Sequence, residues 1–464
     1  MKIKKFLALM CAAATIFISC DDDKNAGLPT IDASIKSRTG AFEVVQERTL
    51  TLVGVINSSH VGVSAVYGWT IDGVRQSSTD TVLDFSHSLV GEHVVTFTAT
   101  NEFGRSTATA TIIVRGKYAK GVFVLNEGAL GHENGSLIHI AEDGYITENA
   151  DFAVNGKELG ITSQHMFFGN GKIYIVSKST DAAHLRRVVV LDAETLNEVA
   201  DYTDDLNTAG LASCDNIGAL NNEIFLSASN AIYSFNTQTK AVTKIKNGNV
   251  SLVRMYASKG KLFAVHNQNA TNCFVKVFEA GKDTISAQIN FGANIRSIAL
   301  ADDGNLFVAL ATTPAEIRKM NINNYSITAT NALSTGTFAG AGWSSATQSI
   351  FPKGDTIYFY SSTSSPVNIY KHIFSTNETN LVGNIYPFLP YTINYGGIGI
   401  SPKTGKVYVS TIGGYGSYNT ANAITVLNFE SGEAPAGADK IKHIEDYIGY
   451  TRFAAGIYFP ESYE

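Results

Sequence analysis

Short stretches in which apolar and polar residues alternate run from residue 31 to the end of the chain, with turn-forming residues between them. A period of two is the pattern of β-strands that bury one face. In the first part of the chain the stretches lie at residues 31–35, 49–55, 66–71, 93–98 and 106–114. Trp69 lies within the third stretch, and the hairpin-forming pair Asp72-Gly73 follows it. Residues 31–116 are therefore predicted to form a small β-sandwich.

Two segments of this sandwich carry a resemblance to a known domain. Residues 67–73 (YGWTIDG) and 94–101 (VVTFTATN) resemble the polycystic-kidney-disease (PKD) type of immunoglobulin-like domain. A tryptophan on a central strand is the usual core residue of an immunoglobulin-like fold. The segment has no cysteine pair, which excludes an antibody-type domain. The resemblance implies a spacer, and we assign no functional site to this part.

A second pattern repeats through the rest of the chain: a turn, then lysine or a similar residue, then an apolar–aromatic pair. The aromatic residues of successive copies are 51, 51, 38, 44, 51 and 50 residues apart, and they are Phe123, Tyr174, Phe225, Phe263, Phe307, Tyr358 and Tyr408. A period of roughly 40–50 residues with four short strands per repeat is typical of a β-propeller. Seven copies predict seven blades. The alternative, an open β-solenoid, has shorter and more uniform repeats.

The last residues predict how the ring closes. Residues 454–459 (AAGIYF) have the pattern of an innermost strand, yet no blade follows them. We expect this strand to join the blade that begins at residues 121–125, so that both ends of the propeller share one sheet. The sequence therefore predicts an all-β protein: an Ig-like (PKD-type) β-sandwich over residues 31–116, followed by a seven-bladed β-propeller over residues 117–464.

The first residues predict export and lipid anchoring. Lys2, Lys4 and Lys5 precede an apolar run at residues 6–18 that is too short to span a bilayer, and Cys20 follows. We expect residues 1–19 to be removed as a lipoprotein signal peptide and Cys20 to be lipidated, because several acyl chains anchor a protein firmly. The alternative is an ordinary secretory signal with a chance cysteine.

Residues 20–30 are expected to form an acidic tether after the lipidated cysteine. Their start, residues 21–23 (DDD), resembles the surface-export signal of Bacteroidetes-type lipoproteins. That resemblance implies an outer-membrane location, with the protein facing the cell exterior and held to the membrane by its lipid only. The alternative is that the acidic residues merely keep a disordered tether in solvent.

Charge and cysteine content exclude several classes of protein. Removal of residues 1–19 leaves 35 − 3 = 32 basic residues against 41 acidic ones, a net charge of −9 with histidine neutral. This balance argues against nucleic acid, whose phosphates call for a basic surface. Cys214 and Cys273 are too few for a disulfide framework and too far apart for a zinc motif, so both are expected to be buried thiols.

The sequence contains no motif of a catalytic or metal site. It has no His-Glu-x-x-His, no Gly-x-Ser-x-Gly and no Walker loop. His165 lies just inside an inner strand and His266 ends a second strand; either could be functional, but we expect ordinary interior or rim histidines. The segment Asp302-Asp303-Gly304 has only part of a calcium-binding pattern and is better explained as a turn. We therefore predict a non-enzymatic protein with no metal site and no cofactor.

One face of the predicted propeller carries candidate binding residues. It comprises the loops between second and third strands and the loops that lead into the inner strands. Several of these loops are long and aromatic, and exposed rings give large contact areas at low entropic cost. The alternative is that the rings pack on one another and stiffen the loops. The candidate ligand-binding residues are Asn126, Glu127, His132, Trp343, Tyr386, Tyr391, Tyr395, Tyr415, Tyr418, Tyr450 and Arg452.

The propeller resembles a known family. Residues 121–128 (GVFVLNEG), 134–137 (NGSL), 171–176 (GKIYIV) and 455–459 (AGIYF) are similar to Bacteroidetes-type surface lipoproteins with YVTN/YncE-like seven-bladed repeats. That family includes the cobalamin-binding lipoproteins that cap the outer-membrane vitamin B12 transporter. The resemblance implies capture of a corrinoid, as ligand and not as cofactor, and its transfer to a TonB-dependent outer-membrane transporter. The added Ig-like domain departs from the family pattern.

Other functions suit the same face. Aromatic rings stack on sugars, so a surface glycan-binding protein of a polysaccharide-uptake system is the second hypothesis. A propeller enzyme, such as a lyase or hydrolase, needs acids or histidines that converge at the axis, and no motif indicates them. A protein–protein scaffold or adhesin has no positive feature in the sequence.

Overall fold

The computed structural model describes residues 31–58, 64–102, 104–129, 131–178, 186–211, 213–340, 348–362, 366–415, 421–429, 441–450 and 453–463. The predicted lipidation site Cys20 lies outside these residues. No helix in the described part of the chain is both long and apolar enough to cross a membrane. The chain divides into two compact units, with the division between Ala119 and Lys120.

The first unit is built from two sheets that enclose one core. Its sheet orders are β1-β3-β6 and β2-β8-β7-β4-β5. The core lies between the sheets, where the fully buried Trp69 packs 4.6 Å from Phe97, measured between ring centroids. The indole N–H of Trp69 donates to the carbonyl oxygen of Asp80 at 2.9 Å, which satisfies its only polar atom. The strands are β1 (Ile31–Ser37), β2 (Glu43–Val45), β3 (Leu50–Ser58), β4 (Val66–Ile71), β5 (Val74–Arg75), β6 (Val82–Phe85), β7 (Gly91–Asn101) and β8 (Gly104–Arg115).

The second unit is a ring of seven four-stranded antiparallel sheets, so the predicted seven-bladed propeller is confirmed. Blades 1 to 4 contain β9 (Val122–Asn126), β10 (Ser136–Ile140), β11 (Ile146–Thr147), β12 (Ser163–Gly169), β13 (Lys172–Ser177), β14 (Val188–Asp192), β15 (Glu198–Asp201), β16 (Asn216–Leu220), β17 (Glu223–Ala228), β18 (Ala231–Asn236), β19 (Val242–Asn249), β20 (Tyr256–Ser258), β21 (Lys261–Asn267), β22 (Cys273–Phe278) and β23 (Ala287–Asn290). Blades 5 to 7 and the closing strand comprise β24 (Ile295–Leu300), β25 (Leu306–Leu310), β26 (Glu316–Met320), β27 (Ile327–Ala332), β28 (Ile350–Lys353), β29 (Thr356–Tyr360), β30 (Asn368–Ile373), β31 (Glu378–Asn384), β32 (Ile393–Ile400), β33 (Val407–Ile412), β34 (Asn422–Phe429), β35 (Ile441–Ile448) and β36 (Ala454–Tyr458). The described helices are short: α1 (Ala150–Asn155), α2 (Thr203–Thr208) and the 3-10 turns Tyr386–Phe388 and Pro460–Ser462.

The repeated aromatic residue occupies the same place in every blade, on the second strand from the axis. All seven of these rings are buried. The turn before the second strand needs a left-handed backbone, which glycine adopts at no steric cost. Gly171, Gly260, Gly304 and Gly405 supply it, with φ between 68° and 76°. The sequence repeat therefore marks one turn and one buried ring per blade.

The ring closes as predicted. Strand β36 pairs with β9, with Ile457 opposite Val124 and Tyr458 opposite Phe123. Blade 1 thus takes its innermost strand from the end of the chain and its other three strands from the start of the propeller. Because this pairing joins residues more than 300 positions apart, the ring is held by backbone hydrogen bonds between its two ends.

Large polar side chains fill the axis of the ring. The buried guanidinium of Arg254 lies 4.1 Å from the ring centroid of Tyr458 and donates to the carbonyl oxygen of Ile457 at 3.1 Å. His165 is also buried here, and its Nδ1 accepts the N–H of Ile217 at 3.2 Å. Burial, and secondly the charge of Arg254, lower the pKa of His165 well below its usual value. His165 is thus a neutral interior histidine, as expected from the sequence.

Both described cysteines are free and buried, which confirms their predicted state. Cys214 belongs to a core cluster that extends across blades 2, 3 and 4, and Cys273 belongs to another cluster between blades 4 and 5. Burial raises the pKa of Cys214 to about 12, so its thiol stays protonated.

Candidate functional site

The loops between second and third strands lie at the same end of the propeller as the loops that lead into the inner strands. In each blade the inner strand begins where the second strand ends: Ser163 pairs with Ser177 in blade 2, and Ile393 with Ile412 in blade 7. This end is called the loop face below. It is the face on which the candidate residues were predicted.

A cavity of about 490 Å³ opens on the loop face. It lies over blades 3, 4 and 5, between the second–third loop of blade 3 and the segment that leads into blade 5. Its size is within the usual range for small-molecule sites. We call it the amide pocket, because side-chain amides recur among its lining residues: Asn230, Asn249, Val250, Ser251, Leu252, Val253, His266, Asn267, Asn294, Ile295 and Arg296.

One wall of the amide pocket is held rigidly. The Oδ1 atom of Asn267 accepts the N–H of Ile295 at 2.9 Å, and its Nδ2 donates to the carbonyl oxygen of Ile295 at 2.9 Å. This double hydrogen bond ties blade 4 to blade 5. Asn230 and Asn249 are exposed, and neither side chain has a hydrogen-bond partner within the described residues. Each therefore offers two N–H donors and one acceptor to a ligand.

The wall of the amide pocket also carries the positive charge of Arg296. Arg296 has no ion-pair partner among the described residues, and its Nε is buried without a hydrogen bond there. Beside it in the wall, His266 stacks on Phe274 with 6.3 Å between ring centroids. Burial, and secondly the charge of Lys276, lower the pKa of His266, so its ring is neutral at pH 7. The pocket can therefore bind a polar ligand that carries one negative group.

An acid and several aromatic rings meet on the other side of the loop face, over blades 7, 1 and 2. The Tyr395 hydroxyl donates to Oε2 of Glu127 at 3.0 Å. The Tyr395 ring lies 6.3 Å from Tyr415 and 5.3 Å from Phe453, both edge-on. We call Glu127, Gln164, Tyr395, Tyr415 and Phe453 the acid–aromatic cluster.

Glu127 is the unusual group of this cluster, because it is only 9% exposed. Burial raises its pKa from 4.5 to about 7, against the opposing effects of hydrogen bonds from Tyr395 and Gln164 and of the Lys178 charge. The backbone of Glu127 is also fixed, since its N–H donates to Phe453 and its carbonyl oxygen accepts the N–H of Thr162. The carboxyl group is thus held in place and titrates near neutral pH.

The structure brings three of the predicted residues together: Glu127, Tyr395 and Tyr415. Tyr415 is 64% exposed and presents its ring at the edge of the cluster. His132 is exposed in the turn after β9, whereas Asn126 is buried and its Nδ2 donates to Ser136 at 3.0 Å. Asn126 therefore stabilises blade 1 from within.

The other predicted aromatics pack into the protein. Tyr386 is half-buried against the core between blades 6 and 7. Tyr450 meets Tyr447 edge-on at 6.3 Å. Tyr391 is half-buried, with its ring close to Gly413. The contacts of these three residues agree with the alternative hypothesis from the sequence. In that hypothesis the rings pack and stiffen the long loops. Trp343, Tyr418 and Arg452 lie outside the described residues.

Sequence reasoning missed most of the amide pocket. It named His266 as a rim histidine but not Asn230, Asn249, Asn294 or Arg296. These residues come from short loops with no aromatic side chains, whereas the predicted site residues come mostly from long loops rich in aromatic residues. The available signal was asparagine itself, which recurs where strands of blades 3 to 5 begin or end.

Comparison with protein families places the propeller in a family. The profile described as a domain of unknown function (DUF5074) matches residues 120–460. This span covers the second unit except for its last four residues. A search of curated proteins finds no match to the chain.

Solved structures support the fold. A quinonprotein alcohol dehydrogenase-like protein from Bacteroides thetaiotaomicron is 16% identical, with a TM-score of 0.51, over 90% of this chain and 96% of that one. BamB from Moraxella catarrhalis is 10% identical, with a TM-score of 0.38, over 72% of this chain and 85% of that one. At 16% identity the first likeness extends to the fold alone, and the second is too low to support an argument.

Proposed function

This chain belongs to the DUF5074 family, and we propose that its propeller captures a corrinoid at the cell surface, without chemical change, and passes it to a TonB-dependent outer-membrane transporter. The observation that carries the proposal is the loop face, where a polar pocket and an acid–aromatic cluster lie on opposite arcs of one ring. A ligand that contacts both arcs must be wide. A corrinoid is a large, mostly flat ring with amide side chains around its edge.

The chemistry of the amide pocket supports this ligand class. The amides of Asn230 and Asn249, which have no hydrogen-bond partner among the described residues, can exchange hydrogen bonds with corrin side-chain amides, since each group is both donor and acceptor. Cobalamin also carries one phosphodiester, in the loop that joins its nucleotide to the corrin. Arg296 is a cation of the pocket wall with no ion-pair partner among the described residues, and a guanidinium binds a phosphate through charge-assisted hydrogen bonds. Arg296 is therefore assigned to the phosphodiester.

The acid–aromatic cluster supplies the apolar side of the site. Tyr415 is exposed beside Tyr395, and large rings of this kind contact flat ligands with little loss of conformational entropy. The predicted lipid on Cys20 supports a location at the outer membrane, where a captured corrinoid meets its transporter.

Direct binding tests the proposal. We expect residues 21–464 to bind cyanocobalamin at one site per chain in calorimetry. Cobinamide lacks the phosphodiester and nucleotide, so it is expected to bind through the corrin amides alone. Arg296→Ala is expected to weaken cyanocobalamin binding roughly tenfold to a hundredfold, the value of one or two hydrogen bonds to a charged group. The same variant is expected to leave cobinamide affinity unchanged.

The controls separate the site from the fold. Arg105→Ala removes an exposed arginine of the first unit and is expected to change neither affinity. Asn249→Ala is expected to weaken both corrinoids, because it removes an amide contact and not a phosphate contact. Absence of heat with both corrinoids, for a folded protein, would refute the corrinoid assignment.

A glycan is the second candidate, and one observation favours it. Tyr415 presents an exposed ring next to hydrogen-bonding side chains, which is the arrangement that stacks on a sugar. In that case Tyr415→Ala would abolish binding of a polysaccharide, while Arg296→Ala would have little effect on a neutral chain. Arg296→Ala therefore separates the two candidates, because it weakens cyanocobalamin binding but has little effect on a neutral glycan.

A further inference from the structure

Three residues of the first unit that are far apart in sequence bring metal-ligand atoms together. Asp72 lies in the hairpin turn between β4 and β5, His87 follows β6, and His93 lies on β7. One ligand atom from each residue falls within 4.8 Å of the other two. Within the described residues, this is the only such group of three or more histidine, cysteine or acidic side chains. The spacings of 15 and 6 residues form no sequence motif.

The geometry around His93 is that of a metal-binding histidine. Its ring is buried, and Nε2 donates to the carbonyl oxygen of Leu89 at 2.9 Å. That hydrogen bond orients the ring and directs Nδ1 toward Oδ2 of Asp72, which lies 2.7 Å away. Metal-ligating histidines almost always donate their other ring N–H in this way, often to a backbone carbonyl.

A cation is required between Nδ1 of His93 and Asp72. A lone pair facing a carboxylate at 2.7 Å would be repelled, so either a proton or a metal ion must lie between them. The other carboxylate oxygen of Asp72 accepts the N–H of Val94 at 2.7 Å, so the carboxylate cannot turn away without losing a second hydrogen bond. Asp72 is therefore held facing the ring of His93.

The second imidazole separates this group from an ordinary ion pair. The ring centroid of His87 lies only 3.6 Å from that of His93. The Nδ1 atom of His87 accepts the backbone N–H of Leu89 at 3.1 Å and lies 3.3 Å from the carbonyl oxygen of the same residue, so Leu89 contacts both imidazoles and Nδ1 of His87 must give up this hydrogen bond to bind a metal ion. An ion pair between Asp72 and His93 needs no second histidine, whereas the imidazole of His87 adds the second nitrogen ligand that a metal site uses.

We propose that Asp72, His87 and His93 bind a divalent first-row transition-metal ion, with zinc as the reference ion. Two imidazole nitrogens and one carboxylate oxygen form a common zinc ligand set, and water takes the fourth position. Asp72 is 43% exposed at its side chain, which leaves a path for the ion and the water. The Nδ1 proton of His93 is released to solvent as the metal replaces it.

Metal binding requires the ligands to move apart. Two imidazoles on one tetrahedral ion have ring centroids ~5 Å apart, so the 3.6 Å between His87 and His93 must widen by ~1.5 Å. Two atoms bound to a tetrahedral zinc ion at about 2.0–2.2 Å are ~3.3 Å apart, so the 2.7 Å contact must widen by ~0.6 Å. His87 is half-buried in the short segment between β6 and β7, where its ring can approach the ion. Calcium and magnesium are excluded as preferred ions, because they require several oxygen ligands and this group offers one carboxylate.

Zinc titration of the untagged chain, residues 21–464, tests this site. Calorimetry with zinc chloride alone is expected to show one ion per chain. His87→Ala leaves the core of the first unit intact and is expected to lower zinc affinity at least about tenfold, since it removes a direct ligand. Asp72→Asn is expected to lower it as well, because the carboxylate charge is lost while the shape is kept.

The propeller supplies a matched control. His443 pairs with Asp446 at 2.9 Å, a histidine–aspartate contact that, among the described residues, has no second imidazole beside it. His443→Ala is expected to leave zinc stoichiometry and affinity unchanged. The site is overturned if wild-type protein takes up no zinc, or if the His87→Ala and Asp72→Asn variants, folded by circular dichroism, bind it as wild type does.

Discussion

Replacing Gly396 by alanine is expected to lower the free energy of unfolding of the propeller by roughly 3–5 kcal/mol. Gly396 lies in the inner strand of blade 7, at an irregularity of its pairing with β33. A β-carbon there would lie 1.8 Å from the carbonyl oxygen of Ala454, the first residue of the closing strand. The backbone of β36 cannot yield without breaking its pairing with β9, so the clash opposes closure of the ring.

The neighbouring glycine provides the control. Gly397 has nearly the same backbone, with φ of 85° against 80° at Gly396. A β-carbon at Gly397 would meet only the Tyr360 hydroxyl, at 3.4 Å, which is ordinary contact. Gly397→Ala is therefore expected to cost only the left-handed strain, roughly 1–2 kcal/mol. Urea unfolding of both variants, followed by circular dichroism, measures the difference. Equal losses in the two variants would show that the closing strand yields to the added methyl group.

The features that the sequence predicts well are those that repeat. Each blade must bury one ring after one tight turn, so Tyr174 and Phe263 mark the same position in blades 2 and 4. The closing strand was predictable because its apolar pattern has no blade after it. In the first unit, the strands Glu43–Val45, Val74–Arg75 and Val82–Phe85 were missed, because two to four residues are too short to display an alternating pattern.

The site was predictable only in part, because contacts on the loop face join distant parts of the chain. The sequence assigns Glu127 and Tyr395 to one face but cannot show that they touch across 268 positions. Aromatic content alone also misleads: Phe338, in a long loop, is buried 5.0 Å from Phe359. An aromatic ring in a loop packs inward wherever a neighbouring blade offers apolar surface. The position of that surface cannot be predicted from the sequence of the loop.

Between pH 4.5 and 7 the free energy of unfolding of the wild-type protein is expected to fall by about 3 kcal/mol because of Glu127. The Glu127→Gln variant is expected not to show this fall. The raised pKa of Glu127, about 7 in the folded protein, means that the native state binds its proton more tightly than the unfolded chain does. Glu127 therefore stabilises the fold fully below pH 4.5. This contribution decreases as pH rises and is lost above about pH 7, where both states are deprotonated and the buried carboxylate is charged.

The measurement is urea unfolding of wild type and Glu127→Gln at intervals from pH 4 to 8. Glutamine keeps an acceptor for the Tyr395 hydroxyl without the charge, so the variant should gain stability relative to wild type across this range.

Asp151→Asn is the matched comparison, because burial also raises the pKa of Asp151, to about 6. The relative gain of Asp151→Asn should therefore be complete by about pH 6, and that of Glu127→Gln only by about pH 7. Parallel curves for wild type and Glu127→Gln would contradict a buried, titrating Glu127. The predicted curves imply that the acid–aromatic cluster is neutral in mildly acidic surroundings and becomes negatively charged above pH 7, on the face where the ligand is proposed to bind.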